Sequence, residues 1–239
     1  GRRREMYENS LRLSAYIRNA VTKLKDSIWI AQRAGRTKDG HDLTQAGVMK
    51  MFAQSGSKHF VDCFKELNLV PIAISYEYEP CDYFKAQELH LKQLNGNYSK
   101  QDDEDLVSII KGVTDYKGRI HLAITKPIEE TELVEIDKNH TTNNDKIKAL
   151  CKLIDQRIYA SYKLWPTNYI AADMLKASFD NDDKYTKEER EKFEKIMTQR
   201  IENMIGNQTE LKRIYLEIYP IPIIANRQVS HQKLEQVVR

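Results

Sequence analysis

The residues best suited to chemistry in this sequence form a basic cluster directly after a short apolar run. The run, residues 27–31, is followed at once by Arg33, Gly35, Arg36 and Lys38. Guanidinium groups bind phosphate oxygens in pairs, lysine adds a positive charge, and glycine lets the backbone approach an anion closely. Because ligands of open α/β sheets bind where strands end, the pattern predicts a phosphate-binding loop. The alternative is a solvated loop with ordinary surface charges.

No metal site, cofactor site or catalytic group is predicted elsewhere in the sequence. The acidic run 102–105 is typical of a helix N-terminus, where the helix dipole favours carboxylates. The histidines lack the spacing of metal ligands. Cys63, Cys81 and Cys151 match no zinc or redox motif, which indicates unpaired thiols in a reducing compartment. We therefore expect no metal and no cofactor.

Alternating strand and helix patterns are expected to position the basic cluster. Apolar or alternating runs predict strands at residues 27–31, 70–76 and 119–125, with helical patterns between them. Strands separated by helices indicate an α/β domain whose mixed sheet is partly parallel and is flanked by helices. We expect this domain over residues 1–140 and a helical C-terminal extension over residues 141–239.

Several helices have sequence signals for their ends. An amphipathic pattern predicts a helix over residues 5–24, and Thr44 is a candidate N-cap for the next helix. A long amphipathic stretch from residue 143 is expected to stop at Pro166. Thr186 begins a capping box, which predicts a charged helix to about Ile205.

The composition predicts a globular protein rather than a disordered chain. Apolar residues make up 41% and charged residues 31%, and the net charge of +3 does not call for a nucleic-acid partner. No apolar run is long enough for a transmembrane helix, and no apolar leader follows the N-terminus. Since the sequence starts at Gly1 without a methionine, we expect it to begin inside a longer protein.

The basic segment and two later segments resemble conserved blocks of the glycerol-3-phosphate and 1-acylglycerol-3-phosphate acyltransferases. Residues 28–40 resemble the third block, an apolar strand followed by glycine and several basic residues. Residues 70–76, which contain Val-Pro-Ile, resemble the fourth block, and residues 118–128 resemble a later strand that ends in Pro-Ile. The ordered match covers roughly residues 4–128.

The resemblance implies an acyltransferase-like mixed sheet and a membrane-associated enzyme of phospholipid biosynthesis. It would transfer an acyl group from acyl-ACP or acyl-CoA to the hydroxyl of a phosphorylated glycerol-type acceptor. The expected location is the cytoplasm, peripheral at the cytoplasmic face of the membrane, without a nucleic-acid partner. The implied phosphate-binding residues are Arg33, Gly35, Arg36 and Lys38. The residues implied to shape the acyl or acceptor pocket are Val70, Pro71 and Ile72, for which a plain core strand is the alternative.

The sequence departs from the family pattern in two places. The catalytic His-x4-Asp block is absent, and His59 and Asp62 have the wrong spacing, so the resemblance places that block upstream of Gly1 and no catalytic residue is assigned here. Ala34 stands where the family has glutamate, and a methyl group accepts no hydrogen bond. Two alternatives follow: a non-catalytic relative that binds a phosphorylated or anionic ligand, or a nucleic-acid-binding protein that uses the same cations.

Overall fold

The structure is a computed structural model that describes residues 2–32, 43–99, 102–176 and 183–220, together with Pro222. The basic cluster of residues 33–38 therefore lies outside the described residues.

The described part of the chain is mostly helical. Its elements, in chain order, are α1 (Arg2–Asn19), a π-helical turn (Ala20–Leu24), α2 (Ala46–Ala53), α3 (Phe60–Lys65), β1 (Ile72–Tyr76), α4 (Asp82–Asn95), α5 (Glu104–Thr114), β2 (Ile120–Ile124), α6 (Glu130–Asn139), α7 (Asn143–Ser161), α8 (Pro166–Met174), α9 (Lys187–Glu202) and α10 (Gln208–Glu217).

Strands β1 and β2 form a two-stranded antiparallel sheet. The Glu77 N–H donates to the Arg119 carbonyl and the Thr125 N–H donates to the Pro71 carbonyl, which fixes the register. The composition of the fold is compatible with the expected mixed α/β class. The expected parallel pairing is not seen among the described strands, since only β1 and β2 pair there and they run in opposite directions.

Residues 27–31 do not form the buried strand that their apolar character predicts. They have no regular secondary structure. Ile28 and Ile30 pack against a hydrophobic core, whereas the intervening Trp29 side chain is 70% exposed. The prediction was wrong because an apolar run indicates burial but does not supply a neighbouring strand to pair with.

The described residues group into two compact units, each with its own core. The first contains residues 2–32, 43–73 and 123–161. Its core joins α2, α3, α6 and α7 through buried apolar side chains. Representative members are Phe52, Phe64, Leu133, Leu150 and Ile154. Three of the α7 residues predicted to share one apolar face, Ile147, Leu150 and Ile154, are buried, as expected from their helical spacing.

The second unit contains residues 74–99, 102–122, 162–176 and 183–220. Its core joins α4, α8, α9 and α10. Representative members are Tyr78, Ile170, Phe193, Leu211 and Tyr215. Both units are discontinuous in sequence, so they follow a different division from the expected domains 1–140 and 141–239, and that domain division stays a prediction.

The helix boundaries follow local signals in some places and not in others. The capping box at Thr186 is confirmed: its hydroxyl accepts a hydrogen bond from the Glu189 N–H at 3.2 Å. Thr44 is not an N-cap, because α2 begins at Ala46 and the Thr44 hydroxyl binds Asp155 instead.

Helix α7 ends at Ser161, before Pro166, and Pro166 instead opens α8. Proline suits the first turn of a helix because its missing N–H has no helical acceptor there.

Candidate functional site

The two ends of the basic segment meet at one backbone hydrogen bond. The Gln45 N–H donates to the Gln32 carbonyl at 2.9 Å, which joins the backbone on either side of residues 33–44. Arg33, Gly35, Arg36 and Lys38 all fall in the segment that this bond closes. The base of the predicted phosphate-binding loop is therefore a defined structural feature, although those four residues lie outside the described part of the chain.

Helix α7 holds the same base through a partly buried carboxylate. The backbone N–H and the hydroxyl of Thr44 both donate to Asp155 Oδ1, at 2.8 and 2.6 Å. Thr44 is buried. Two donors on one carboxylate oxygen fix both the backbone and the side chain of Thr44, because each hydrogen bond to a charged acceptor is stronger than a neutral one.

The same helix holds the segment that follows β2. The Arg157 guanidinium donates to the carbonyl groups of Lys126 and Pro127 and forms an ion pair with Glu132 at the start of α6. Arg157 lies two residues after Asp155, so the two side chains leave α7 in different directions. Helix α7 thus reaches the basic-segment base with one residue and the Pro-Ile segment with another.

The Val-Pro-Ile segment is joined to the chain after β2 by backbone pairing. The Thr125 N–H and hydroxyl donate to the Pro71 carbonyl at 3.1 and 2.9 Å, and the Ile128 N–H donates to the Leu69 carbonyl at 2.8 Å. The Thr125–Pro71 bond keeps the β1–β2 register, and the Ile128–Leu69 bond continues the pairing with an offset of one residue. Three segments that are far apart in sequence are therefore tied together within the first unit.

The three predicted pocket residues have different environments. Val70 is exposed, Pro71 is buried and Ile72 is partly buried. The pairing of Pro71 with Thr125 places Ile72 opposite Ile124, and alternate residues share a face of the sheet. Ile124 is exposed, so Val70, Ile72 and Ile124 present an apolar surface at this end of the strands. The prediction that Val70 and Ile72 line a pocket stays a prediction, whereas Pro71 lies inside the fold.

Sequence reasoning missed Asp155 and Arg157. Both lie in the middle of an amphipathic helix, where polar residues normally face solvent. Their partners are distant in sequence, since Asp155 binds a residue 111 positions away. A local pattern carries no signal for such a pair, so only the folded structure identifies these two residues.

A buried arginine joins α1 to the loops around α2 and α3 in the same unit. Arg18 donates to the Phe52 carbonyl at 2.7 Å and the Cys63 carbonyl at 3.1 Å, and it forms an ion pair with Glu66. A Cβ atom at Gly56 would lie 2.4 Å from Arg18 Nη2. Burial raises the pKa of the Cys63 thiol despite the nearby guanidinium, which indicates an inert thiol rather than a nucleophile.

The second unit also contains a buried charged side chain, in this case a carboxylate. Asp82 is fully buried; it accepts hydrogen bonds from Arg200 and from the Tyr219 hydroxyl. The Arg200 guanidinium also donates to the Glu79 carbonyl at 3.1 Å. Burial raises the pKa of Asp82, while Arg200 and the tyrosine hydroxyls act in the opposite direction. Because these groups satisfy one another inside the core, the cluster has a structural role: it joins α4 and α9 to the residues that follow α10.

A more exposed ion pair lies at the end of the sheet in the second unit. Arg119 donates to both carboxylate oxygens of Glu77, at 3.1 and 2.8 Å, and to Glu189 at 3.0 Å. Its guanidinium lies 5.1 Å from the centre of the Trp165 ring. Burial raises the pKa of Glu77, but the hydrogen bonds from Arg119 more than offset this, so the pKa lies below its usual value.

The described residues contain neither a candidate metal site nor a helix that could span a membrane. Those residues contain no group of three or more His, Cys, Asp or Glu side chains placed to hold a metal ion. In the same part of the chain, every helix is too short or too polar to cross a membrane. No family model, curated protein or solved structure matches this chain.

Proposed function

We propose that the chain is the acceptor-binding part of an acyltransferase that acts on a phosphorylated glycerol-type acceptor. The acyl group would come from acyl-ACP or acyl-CoA, and the product would enter phospholipid synthesis. The apolar products suit an enzyme that works peripherally at the cytoplasmic face of the membrane.

The observation that carries the proposal is the joining of the three family-like segments by one helix and one backbone ladder. Asp155 holds the base of the basic segment, and Arg157 holds Lys126 and Pro127. The ladder from Thr125 to Ile128 then holds the Val-Pro-Ile segment. Segments that share one functional site must be held together in space, and these contacts meet that requirement.

The proposed roles follow from the charges and shapes of the residues. Arg33 and Arg36 would bind the phosphate of the acceptor in pairs of hydrogen bonds, Lys38 would add charge, and Gly35 would let the backbone approach. The apolar surface at Val70 and Ile72 would border the acyl chain.

Acyl transfer itself needs a general base to take the proton of the acceptor hydroxyl as the oxygen attacks the thioester carbonyl. The new ester bond forms as the carbon–sulfur bond breaks, and the thiol leaves with a proton. Neither step requires a metal. The residues of this chain would provide binding and positioning, and the base would be the histidine of a His-x4-Asp block in the full-length protein.

Steady-state kinetics of the full-length protein test the proposal. We expect Arg36→Ala to raise the KM for glycerol 3-phosphate at least ~10-fold, since a charged hydrogen bond contributes about 1.5–3 kcal/mol, and to change the KM for the acyl donor little. Arg12→Ala, which removes an exposed cation from α1, is the matched control and should leave both values unchanged. Lack of transfer from both donors by the unmodified protein would overturn the proposal.

Ala34→Glu tests the departure from the family pattern. A carboxylate at this position can accept a hydrogen bond from a glycerol hydroxyl and orient a neighbouring arginine. If the site binds a glycerol-type acceptor, this variant should lower the KM for glycerol 3-phosphate. An unchanged KM, together with normal activity, would show that the acceptor does not contact position 34.

A further inference from the structure

Helix α5 is packed with its apolar side facing outward. Leu106, Ile109, Ile110 and Val113 follow the spacing of one helix face, and their exposure runs from 50% for Ile110 to 75% for Val113. No residue of this helix is buried. An ordinary surface helix turns such a face toward the core, whereas this ridge is not covered by any of the described residues.

The opposite side of α5 holds the helix to its own unit. The more enclosed residues on that side are Val107, Ser108, Lys111 and Gly112. The Cys81 thiol donates to the Ser108 carbonyl at 3.4 Å, which ties this side to the start of α4. The outward direction of the apolar ridge is therefore set by packing.

Charges are distributed unequally along the helix. Acidic residues precede and begin it, with Asp102 and Asp103 exposed at that end. Lys117 follows its C-terminal end, and its ammonium group donates only to the carbonyls of Val113 and Asp115 at 2.9 Å among the residues described. The first end thus carries negative charge, and the other end is net positive because Lys111 and Lys117 outnumber the single carboxylate of Asp115 there.

We propose that the ridge of α5 binds the same ridge of a second copy of this chain, with the two helices antiparallel. A two-fold axis between Ile109 and Ile110 places Leu106 opposite Val113 of the second copy. It also sets the acidic end of each helix against the lysine end of the other. The same axis brings Asp102 to the level of Lys117 in the other copy. This symmetric, self-complementary arrangement is the usual form of a homodimer contact.

The charge pattern favours a second copy over a lipid surface. The carboxylates of residues 102–105 would be repelled by the anionic headgroups of a bilayer, whereas they meet a cation in the antiparallel pair. The pair of opposed helix dipoles is also favourable. The contact is short, so we expect a weak dimer that dissociates on dilution. The proposed dimer does not depend on the proposed acyl transfer, so each can be tested without the other.

Sedimentation equilibrium over a range of protein concentrations tests the dimer. The unmodified chain should show a monomer–dimer equilibrium, and Ile110→Glu should weaken it at least ~10-fold because it buries a charge at the centre of the contact. Ile205→Glu is the matched control, since Ile205 is 82% exposed on another element of the same unit and should leave the equilibrium unchanged. A monomer at every concentration would overturn the proposal.

A charge exchange tests the antiparallel arrangement itself. Asp102→Lys and Lys117→Asp should each weaken dimerisation, and the double variant should restore it, because each new charge then meets an opposite one. Circular dichroism of each variant checks that the fold is kept. A double variant that is folded and no better than the single variants would overturn the antiparallel pairing.

Site-specific crosslinking gives a second readout. Ile110→Cys should form an intermolecular disulfide under mild oxidation, whereas the unmodified chain should not, because Cys63, Cys81 and Cys151 are buried. Vesicles of an anionic phospholipid supply the competing outcome. If they bind the unmodified chain and Ile110→Glu abolishes that binding while the chain stays monomeric, the ridge is a lipid surface and the dimer is excluded.

Discussion

The two compact units contain buried charges of opposite sign, and they satisfy them in different ways. In the first unit, Arg18 donates to the carbonyls of Phe52 and Cys63 and to the Ser55 hydroxyl, and its carboxylate partner Glu66 is partly exposed. In the second unit, Asp82 is fully buried and depends on the side chains of Arg200 and Tyr219. Removing Arg18 leaves neutral acceptors in the core and one carboxylate, Glu66, that water can reach. A carboxylate held by an arginine leaves a buried charge.

Removal of Asp82 is therefore expected to have the largest effect. Asp82→Ala should lower the free energy of unfolding by about 3–5 kcal/mol, because Arg200 loses its buried counter-ion. Denaturant unfolding monitored by circular dichroism measures this change. Asp183→Ala, which removes an exposed carboxylate that pairs only with its neighbour Lys184 among the described contacts, is the control and should be near neutral. Similar unfolding free energies for the two variants would contradict a structural role for Asp82.

Removal of Arg18 should cost less. Arg18→Met keeps much of the apolar length of the side chain but removes the hydrogen bonds to the Phe52 and Cys63 carbonyls, which should cost about 2–3 kcal/mol. The control is Arg4→Met, which removes an exposed arginine from the same helix. If Arg18→Met destabilises the protein more than Asp82→Ala does, the contrast between the two clusters is wrong.

The space beside the Arg18 cluster gives a sharper test of its packing. A Cβ at Gly56 would lie 2.4 Å from Arg18 Nη2 and 2.5 Å from Cys63 Sγ, so Gly56→Ala should destabilise the fold by about 1–2 kcal/mol. Gly47 lies in α2 with no atom within 4 Å of its Cβ position. Gly47→Ala should instead stabilise the fold by about 0.5–1 kcal/mol through helix propensity. The two variants should therefore shift the thermal midpoint in opposite directions, and a Gly56→Ala midpoint no lower than that of the unmodified protein would contradict close packing around Arg18.

The ion pair of Glu77 and Arg119 shows how much pairing contributes to the free energy of unfolding when the cation is not buried. The lowered pKa of Glu77 stabilises the fold above the pKa of an unfolded glutamate, about 4.3, and this stabilisation is lost as the pH falls through the lower folded value. Glu77→Gln should cost about 1 kcal/mol at neutral pH, since Arg119 is partly exposed. Unfolding free energies from pH 3 to 7 should show a shallower acid dependence for the variant. An identical dependence in both proteins would contradict the role given to Glu77.

The sequence predicts the parts of the fold that depend on local patterns. The alternation of Ile120, Leu122 and Ile124 corresponds to β2, and the Thr186 capping box opens α9. The end of α7 was placed too late, since the chain is already extended before the proline. Trp165 has φ −109° and ψ 160°, as expected for the residue before proline.

Contacts between distant residues escape prediction from one sequence. Asp155 with Thr44 and Arg200 with Asp82 join elements whose approach depends on the whole fold. The local sequence pattern around a charged residue of an amphipathic helix is the same whether its side chain faces solvent or the core. For the same reason, the sequence identifies Arg33 and Arg36 as candidate phosphate ligands but does not identify the helix that holds the base of their segment.

Calorimetric titration of the chain with glycerol 3-phosphate tests the central claim most directly. We predict that glycerol 3-phosphate binds, that glycerol does not, and that the double variant Arg33→Ala and Arg36→Ala weakens binding at least ~10-fold. The double variant Arg4→Ala and Arg12→Ala removes the same charge from exposed positions on α1 and should bind like the unmodified chain. Equal affinity in both double variants, or no binding by the unmodified chain, would contradict a phosphate site in the basic segment.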